Sequence, residues 1–242
     1  MIFIAIVDPQ IGNSQRLIEI HSNWCKEVAK VLNEQFTMHI ISNIKSENDI
    51  ISPLNQILTN PNNYKNTIYL YYFCHGIRKD NKDYLRFGNN VFIRDDGITY
   101  LYFLNNVRHL TVFYECCHSQ GLYEPTEMCY MEDQPATLYN VNVAFKSSKN
   151  NSPLYYKNNI TIICTSLINE KSLAGVDDQN NLRTQVTDIL TTLKDNKNFN
   201  PNPYLNKVSN VIDYVNDVLK ISMNGKQNMI VYSPNLLINW FY

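Results

Sequence analysis

The sequence predicts an α/β fold: about six mostly parallel strands in one doubly wound sheet, with helices on both faces. Three observations carry that prediction. Apolar runs of strand length occur at 2–7, 67–74, 110–116 and 160–166, with a weaker one at 37–42. These runs lack strict alternation, as strands covered on both faces do. Segments with helical spacing separate them, and parallel pairing needs such crossovers.

Taken in order, the strand at 2–7 is followed by a helix over 15–34, where Leu17, Ile20, Trp24, Val28, Val31 and Leu32 share one face. A strand at 37–42 and a helix over 47–58 precede the strand at 67–74. Residues 76–96 carry Arg78, Lys79, Asp80, Lys82 and Asp83 and predict a polar loop with a small hairpin around Gly88-Asn89-Asn90. Ile98, Leu101, Phe103 and Leu104 predict a helix over 97–107. After the strand at 110–116 comes a long polar segment, 118–159, holding Pro125, Pro135 and Pro153. Connections of that length in compact domains usually serve a function or are disordered. The strand at 160–166 leads to helices over 182–195 and 204–221, the second through Leu205, Val208, Val211, Ile212, Val215 and Leu219. A closing strand spans 229–232. No internal repeat and no linker composition divides the chain, so 1–242 reads as one domain.

Composition removes several function classes. With 44% hydrophobic residues and a formal net charge of −1, the chain reads as soluble, globular and without a nucleic-acid footprint. No apolar run reaches the roughly 18 residues of a membrane span. The first strand meets Asp8 too early for a signal peptide and lacks a basic leader, which points to the cytoplasm. With a strand beginning at residue 2, no prodomain is expected. Six cysteines show neither disulfide-framework nor zinc spacing and read as reduced thiols. A flavodoxin-like binding domain is disfavoured, since Asp8-Pro9-Gln10-Ile11-Gly12 offers one glycine where a phosphate loop needs several.

Two strand ends carry the chemistry. Thr67 to Phe73 runs into Cys74-His75-Gly76, and Leu110 to Tyr114 runs into Glu115-Cys116-Cys117-His118-Ser119. Neighbouring parallel strands end on the same sheet edge, where ligands and catalytic groups gather. A histidine and a cysteine delivered there form a base and a nucleophile. Read singly, a strand-end cysteine is a small hydrophobe and a His-Gly pair is a turn; their joint placement favours Cys117 and His75 as a pair. Strand alternation turns Cys116 away from Cys117 and into the core. His118 lies too close in sequence to fold back onto Cys117 and reads as a helix or loop start.

These residues resemble the caspase-like cysteine peptidases, and among them the metacaspases most closely. That group ends its third strand in His-Gly and its fourth in Asp-x-Cys-His-Ser-Gly. Here the counterparts are His75-Gly76 and Glu115-Cys116-Cys117-His118-Ser119, with Gln120 inserted before Gly121 and Cys74 in place of a glycine. Ile93-Arg94-Asp95-Asp96 resembles the family's element opening the helix before the nucleophile strand. Residues 164–172 match its loop after the next strand, and 227–233 match its closing strand. The resemblance implies a caspase-like three-layer sandwich and a cysteine endopeptidase. Cys117 would be nucleophile, His75 base and general acid, and the backbone N–H groups of Gly76 and Cys117 the oxyanion hole. No cofactor would be needed for the chemistry.

Substrate reading follows from the same resemblance. Metacaspases line the P1 pocket with acids and cleave after Arg or Lys. Glu115 keeps one such acid, while Asn169 stands where the family has Asp, with Glu170 beside it. The acid expected on the first helix falls near Trp24. Caspases read Asp through arginines, and no Arg lies beside Cys117 or near 160–175. Legumain-like enzymes share Glu-x-Cys and cleave after Asn, which remains the alternative. Asp95, Asp96 and Glu124 match acids that bind activating calcium in many metacaspases, although Asp95-Asp96 also suit a helix N-terminus. The 118–159 segment matches the region cut on maturation and contains Lys146, Lys149 and Lys157. Protein or peptide substrates are the expected partners, and a monomer is expected rather than a dimer. A caspase-like pseudoenzyme, acting as decoy or regulator, is the competing class. Its motives are Cys74, Gln120 and the thinned acidic pocket.

Overall fold

A computed structural model describes residues 1–8, 10–11, 14–60, 66–80, 82–88, 91–93, 109–119, 160–167, 169–172, 174–193 and 207–232. Its main sheet contains β1 (Ile2–Val7), β2 (Thr37–Ile41), β3 (Thr67–Phe73), β7 (His109–Glu115), β8 (Ile160–Cys164) and β11 (Ile230–Tyr232). Their spatial order is β11-β8-β7-β3-β1-β2. The inner strands pair in parallel, and β11 alone runs antiparallel to its neighbour, β8.

The missing alternation has a direct cause. Every residue of β1, β3 and β7 is buried, and successive residues feed opposite layers. Ile2, Ile4, Ile6, Leu70, Tyr72, Val112 and Tyr114 pack with Ile50, Leu54 and Ile57 of α2 (Asn48–Thr59). Phe3, Ala5, Tyr69, Tyr71 and Phe113 pack with three helices on the other face. These are α1 (Gln15–Leu32), α3 (Gln185–Leu193) and α4 (Val208–Ser222). Helix α1 presents Leu17, Ile18, Trp24, Cys25, Val28 and Ala29 to that layer and ends at Asn33, whose left-handed backbone (φ 54°) caps it. Burying each large apolar side chain contributes roughly 1.5–3 kcal/mol, so the two layers, not helix propensity, hold the helices down.

Two sequence expectations need correction. Residues 76–96 hold the expected hairpin, formed by the strands at 82–87 and 91–93, but are not mainly loop. They include an antiparallel three-stranded sheet, β4 (His75–Lys79), β5 (Lys82–Phe87) and β6 (Val91–Ile93). Asp83, Leu85 and Phe87 alternate inward along β5, and Leu85 and Phe87 join the α2-side core. Gly88, at φ +58°, supplies the left-handed turn after β5. The helix expected over 182–195 begins instead at Gln185. Residues Leu182–Thr184 form β10, antiparallel to β9 (Ala174–Val176). The helix predicted over 97–107 and most of the segment 118–159 lie outside the described residues. No helix among the described residues is long and apolar enough to cross a membrane.

Candidate active site

Register fixes the site. Val7 pairs with Phe73, Phe73 with Glu115, and Tyr114 with Cys164, so four strands finish nearly level. Continuing that register, the next row holds Asp8, Cys74, Cys116 and Ser166, and His75 and Cys117 follow. Asp8 N–H donates to Phe73 O at 2.9 Å and Thr165 N–H to Tyr114 O at 3.2 Å, keeping the loops tied to the edge.

The His75 and Cys117 segments are brought into direct contact. A Cβ built on Gly76 would lie 1.6 Å from the Cys117 carbonyl oxygen, 2.5 Å from its carbon and 3.0 Å from its nitrogen. Only a residue without a side chain lets the two backbones approach so closely. His75 is exposed, while Cys117 is half-buried and donates its thiol to Ser172 O at 3.8 Å. Burial pushes the Cys117 thiol up; the Ser172 backbone opposes this, Cys116 adds to it and the Lys171 cation opposes it. Desolvation lowers the His75 imidazole, Arg86 lowers it further and Asp8 pulls it back up. Both shifts favour the neutral forms, a thiol on Cys117 and an imidazole on His75.

A buried serine pair braces the turn that carries Cys117. Ser119 N–H donates to Ser166 Oγ at 3.1 Å, and Ser166 N–H donates to Ser119 Oγ at 3.0 Å. Ser119 Oγ also reaches Ser166 O at 3.1 Å, and Ser166 Oγ donates to Cys116 O at 3.0 Å. His118, left-handed at φ 54°, donates its N–H to Glu170 O at 2.9 Å. The turn after β7 is thus locked to the loop after β8. Ser119 lies in the sequence motif, but nothing in the sequence indicated Ser166 as its partner.

The three expected substrate-reading residues occupy different settings. Glu115 is 2% exposed, and its carboxylate accepts from Tyr71 Oη, Thr184 Oγ1 and, at 2.6 Å, Thr187 Oγ1. His21 Nε2 stands 3.6 Å from it, bonded at 3.1 Å to Thr187 Oγ1, while His21 Nδ1 meets Tyr69 Oη at 2.8 Å. Burial raises the Glu115 carboxyl, but His21, Thr184 and Thr187 together hold it below its ordinary value. Burial lowers His21 below its ordinary value against the pull of Glu115. Glu170 accepts from Leu167 N–H (3.1 Å), Asn228 N–H (2.7 Å) and Asn228 Nδ2 (2.6 Å), stapling its loop to the approach of β11. Asn169 is exposed and accepts from Arg78 Nη1 at 2.9 Å. The sequence offered no arginine near 160–175; folding brings Arg78 there from β4.

The acids expected to hold calcium, Asp95, Asp96 and Glu124, lie outside the described residues, as do Lys146, Lys149 and Lys157. Among the described residues no cluster of three His, Cys, Asp or Glu side chains could hold a metal. Cys74 and Cys116 are buried free thiols in the α2-side core.

No protein-family model matches the chain, and no curated protein does. Solved structures match over nearly its whole length. The Drosophila initiator caspase Dronc gives a TM-score of 0.54 at 8% identity, over 99% of this chain and 82% of that one. Caspase-1 from Spodoptera frugiperda gives 0.51 at 10%, over 96% and 86%. The fold is caspase-like. Protein GSU0716 from Geobacter sulfurreducens also matches, with a TM-score of 0.52 at 11% identity over 99% and 97%. These identities speak to the caspase-like fold and not to activity.

Proposed function

We propose that the chain is a cysteine endopeptidase of the metacaspase type, working through Cys117 and His75. The contact of Gly76 with the Cys117 backbone is the observation that carries the reading, because it sets the base-bearing strand against the nucleophile. His75 takes the Cys117 proton as sulfur attacks the scissile carbonyl. Backbone N–H groups of Gly76 and Cys117 receive the developing oxyanion. The imidazolium then protonates the leaving amine, giving a thioester, and His75 next removes a proton from the water that hydrolyses it.

For specificity we favour cleavage after Arg or Lys. Glu115 stands two residues before the nucleophile, and Tyr71, Thr184 and Thr187 hydroxyls donate to its carboxyl, so an acid is held beneath the site. A second reading, cleavage after Asn, is favoured by the Arg78–Asn169 pair, because its cation opposes a basic side chain and its amide suits another amide. Fluorogenic peptides differing only at P1 (Arg, Lys, Asn, Asp), with calcium and with chelator, separate these readings. Cleavage lost in Cys117→Ala supports the peptidase. No cleavage of any peptide by the wild type selects the pseudoenzyme.

A further inference from the structure

Asp8 is a buried acid at the end of an otherwise apolar strand, and it is 1% exposed. Burying a carboxyl group is costly unless its oxygens find hydrogen-bond partners. Asp8 Oδ1 accepts the N–H of Gln10 at 2.9 Å, and Oδ2 accepts the N–H of Gly88 at 3.0 Å. Its own N–H holds Phe73 O at 2.9 Å, two residues before His75. Gly88 closes β5, whose Arg86 sits opposite His75 in the β4–β5 register. One carboxylate is therefore fixed by β1, β3 and the β5 turn together, on the sheet edge that delivers His75.

We propose that Asp8 is a positioning residue for His75, a fixed negative charge that stabilises the imidazolium formed when Cys117 loses its proton. This rests on the peptidase reading above. The charged groups that act on His75 are Arg86, which disfavours the imidazolium, and Asp8, which favours it. Asp8 offsets Arg86 and keeps the base usable near neutrality. The bland alternative gives Asp8 a turn-holding role alone, through its bonds to Gln10 and Gly88.

The two roles move His75 in opposite directions. Loosening the turn would hydrate the imidazole and raise its pKa, whereas removing the charge lowers it. The test follows the His75 ring by NMR against pH in wild type, Asp8→Asn and Arg86→Gln, with His75→Gln assigning the signal. The expected result is a fall of about one unit in Asp8→Asn and a rise in Arg86→Gln. The P1 panel on Asp8→Asn should then show kcat reduced about tenfold or more, with KM moving less and the acid limb displaced in the same direction. An unchanged or raised His75 pKa in Asp8→Asn overturns the proposal. The titration needs no turnover, so a lowered pKa in a chain that cleaves nothing would sink the peptidase reading and leave the electrostatic role of Asp8 standing.

Discussion

Gly76 and Cys117 share a contact that admits no side chain: a methyl group on Gly76 would overlap the Cys117 carbonyl at 1.6 Å. Gly76→Ala must push β4 away from the turn after β7 or rotate the Cys117 peptide. Overpacking of this kind costs about 1–3 kcal/mol. The larger effect should fall on catalysis, where a displacement near 1 Å costs on the order of a hundredfold. Circular dichroism with kcat/KM on one preparation checks this. Near-wild-type turnover in a folded Gly76→Ala chain would contradict the contact.

The Ser119–Ser166 pair should be the structural brace of the nucleophile turn. Ser166→Ala removes the acceptor for the Ser119 N–H and the donor to Cys116 O in a fully buried place. Leaving such groups unpaired costs about 1–3 kcal/mol each. Urea unfolding should show a lower midpoint with an unchanged slope, and Ser166→Thr should recover part of the loss.

Lys171 should tune the nucleophile. Its cation opposes the burial that raises the Cys117 thiol, so Lys171→Met should raise that pKa further. The rate of iodoacetamide alkylation at Cys117, followed against pH, should therefore reach half its maximum at a higher pH in the variant. An unmoved or lowered midpoint would show that Lys171 does not reach the sulfur.

Acid stability should depend on His109. It is 3% exposed, bonded to Thr161 Oγ1 at 3.2 Å, and burial lowers its pKa to about 4. The unfolded chain takes up this proton near pH 6.5, the folded chain only near pH 4. Between those values the unfolded state binds more protons, so stability is full above about pH 6.5 and falls as pH drops. One such group accounts for about 3 kcal/mol across that window. His21, lowered in the same direction, adds to the slope. Unfolding free energy measured from pH 7 to pH 4 should fall less steeply in His109→Gln than in wild type.

Much of this architecture was legible because burial writes itself into composition. The strands β1, β3, β7 and β8 were readable as apolar runs, since a strand feeding two core layers needs apolar residues at every position. Of the β4–β6 sheet only the hairpin joining β5 to β6 was readable. Its inward positions, Asp83, Leu85 and Phe87, are interleaved with lysine and arginine, and charge masked the two-residue period. The strand β10 was missed because three residues become a strand only when β9 lies beside them. At the site, His75 and Cys117 stood out because strand and reactive group are adjacent in sequence. Arg78, Ser166 and Asp8 did not, because their partners Asn169, Ser119 and Gly88 lie between 47 and 91 residues away. Glu170 looks like a substrate-facing acid until Asn228 arrives to take both of its oxygens.

The central claim is that Cys117 is the nucleophile and His75 its base. Its most direct test is a peptidyl acyloxymethyl ketone, whose carbon a catalytic thiolate captures with loss of carboxylate. Tryptic mass spectrometry would locate the adduct in wild type and in His75→Ala. The account predicts one adduct, on Cys117, formed about a hundredfold or more slowly without His75. Adducts spread over other cysteines, or a Cys117 rate indifferent to His75, would contradict it.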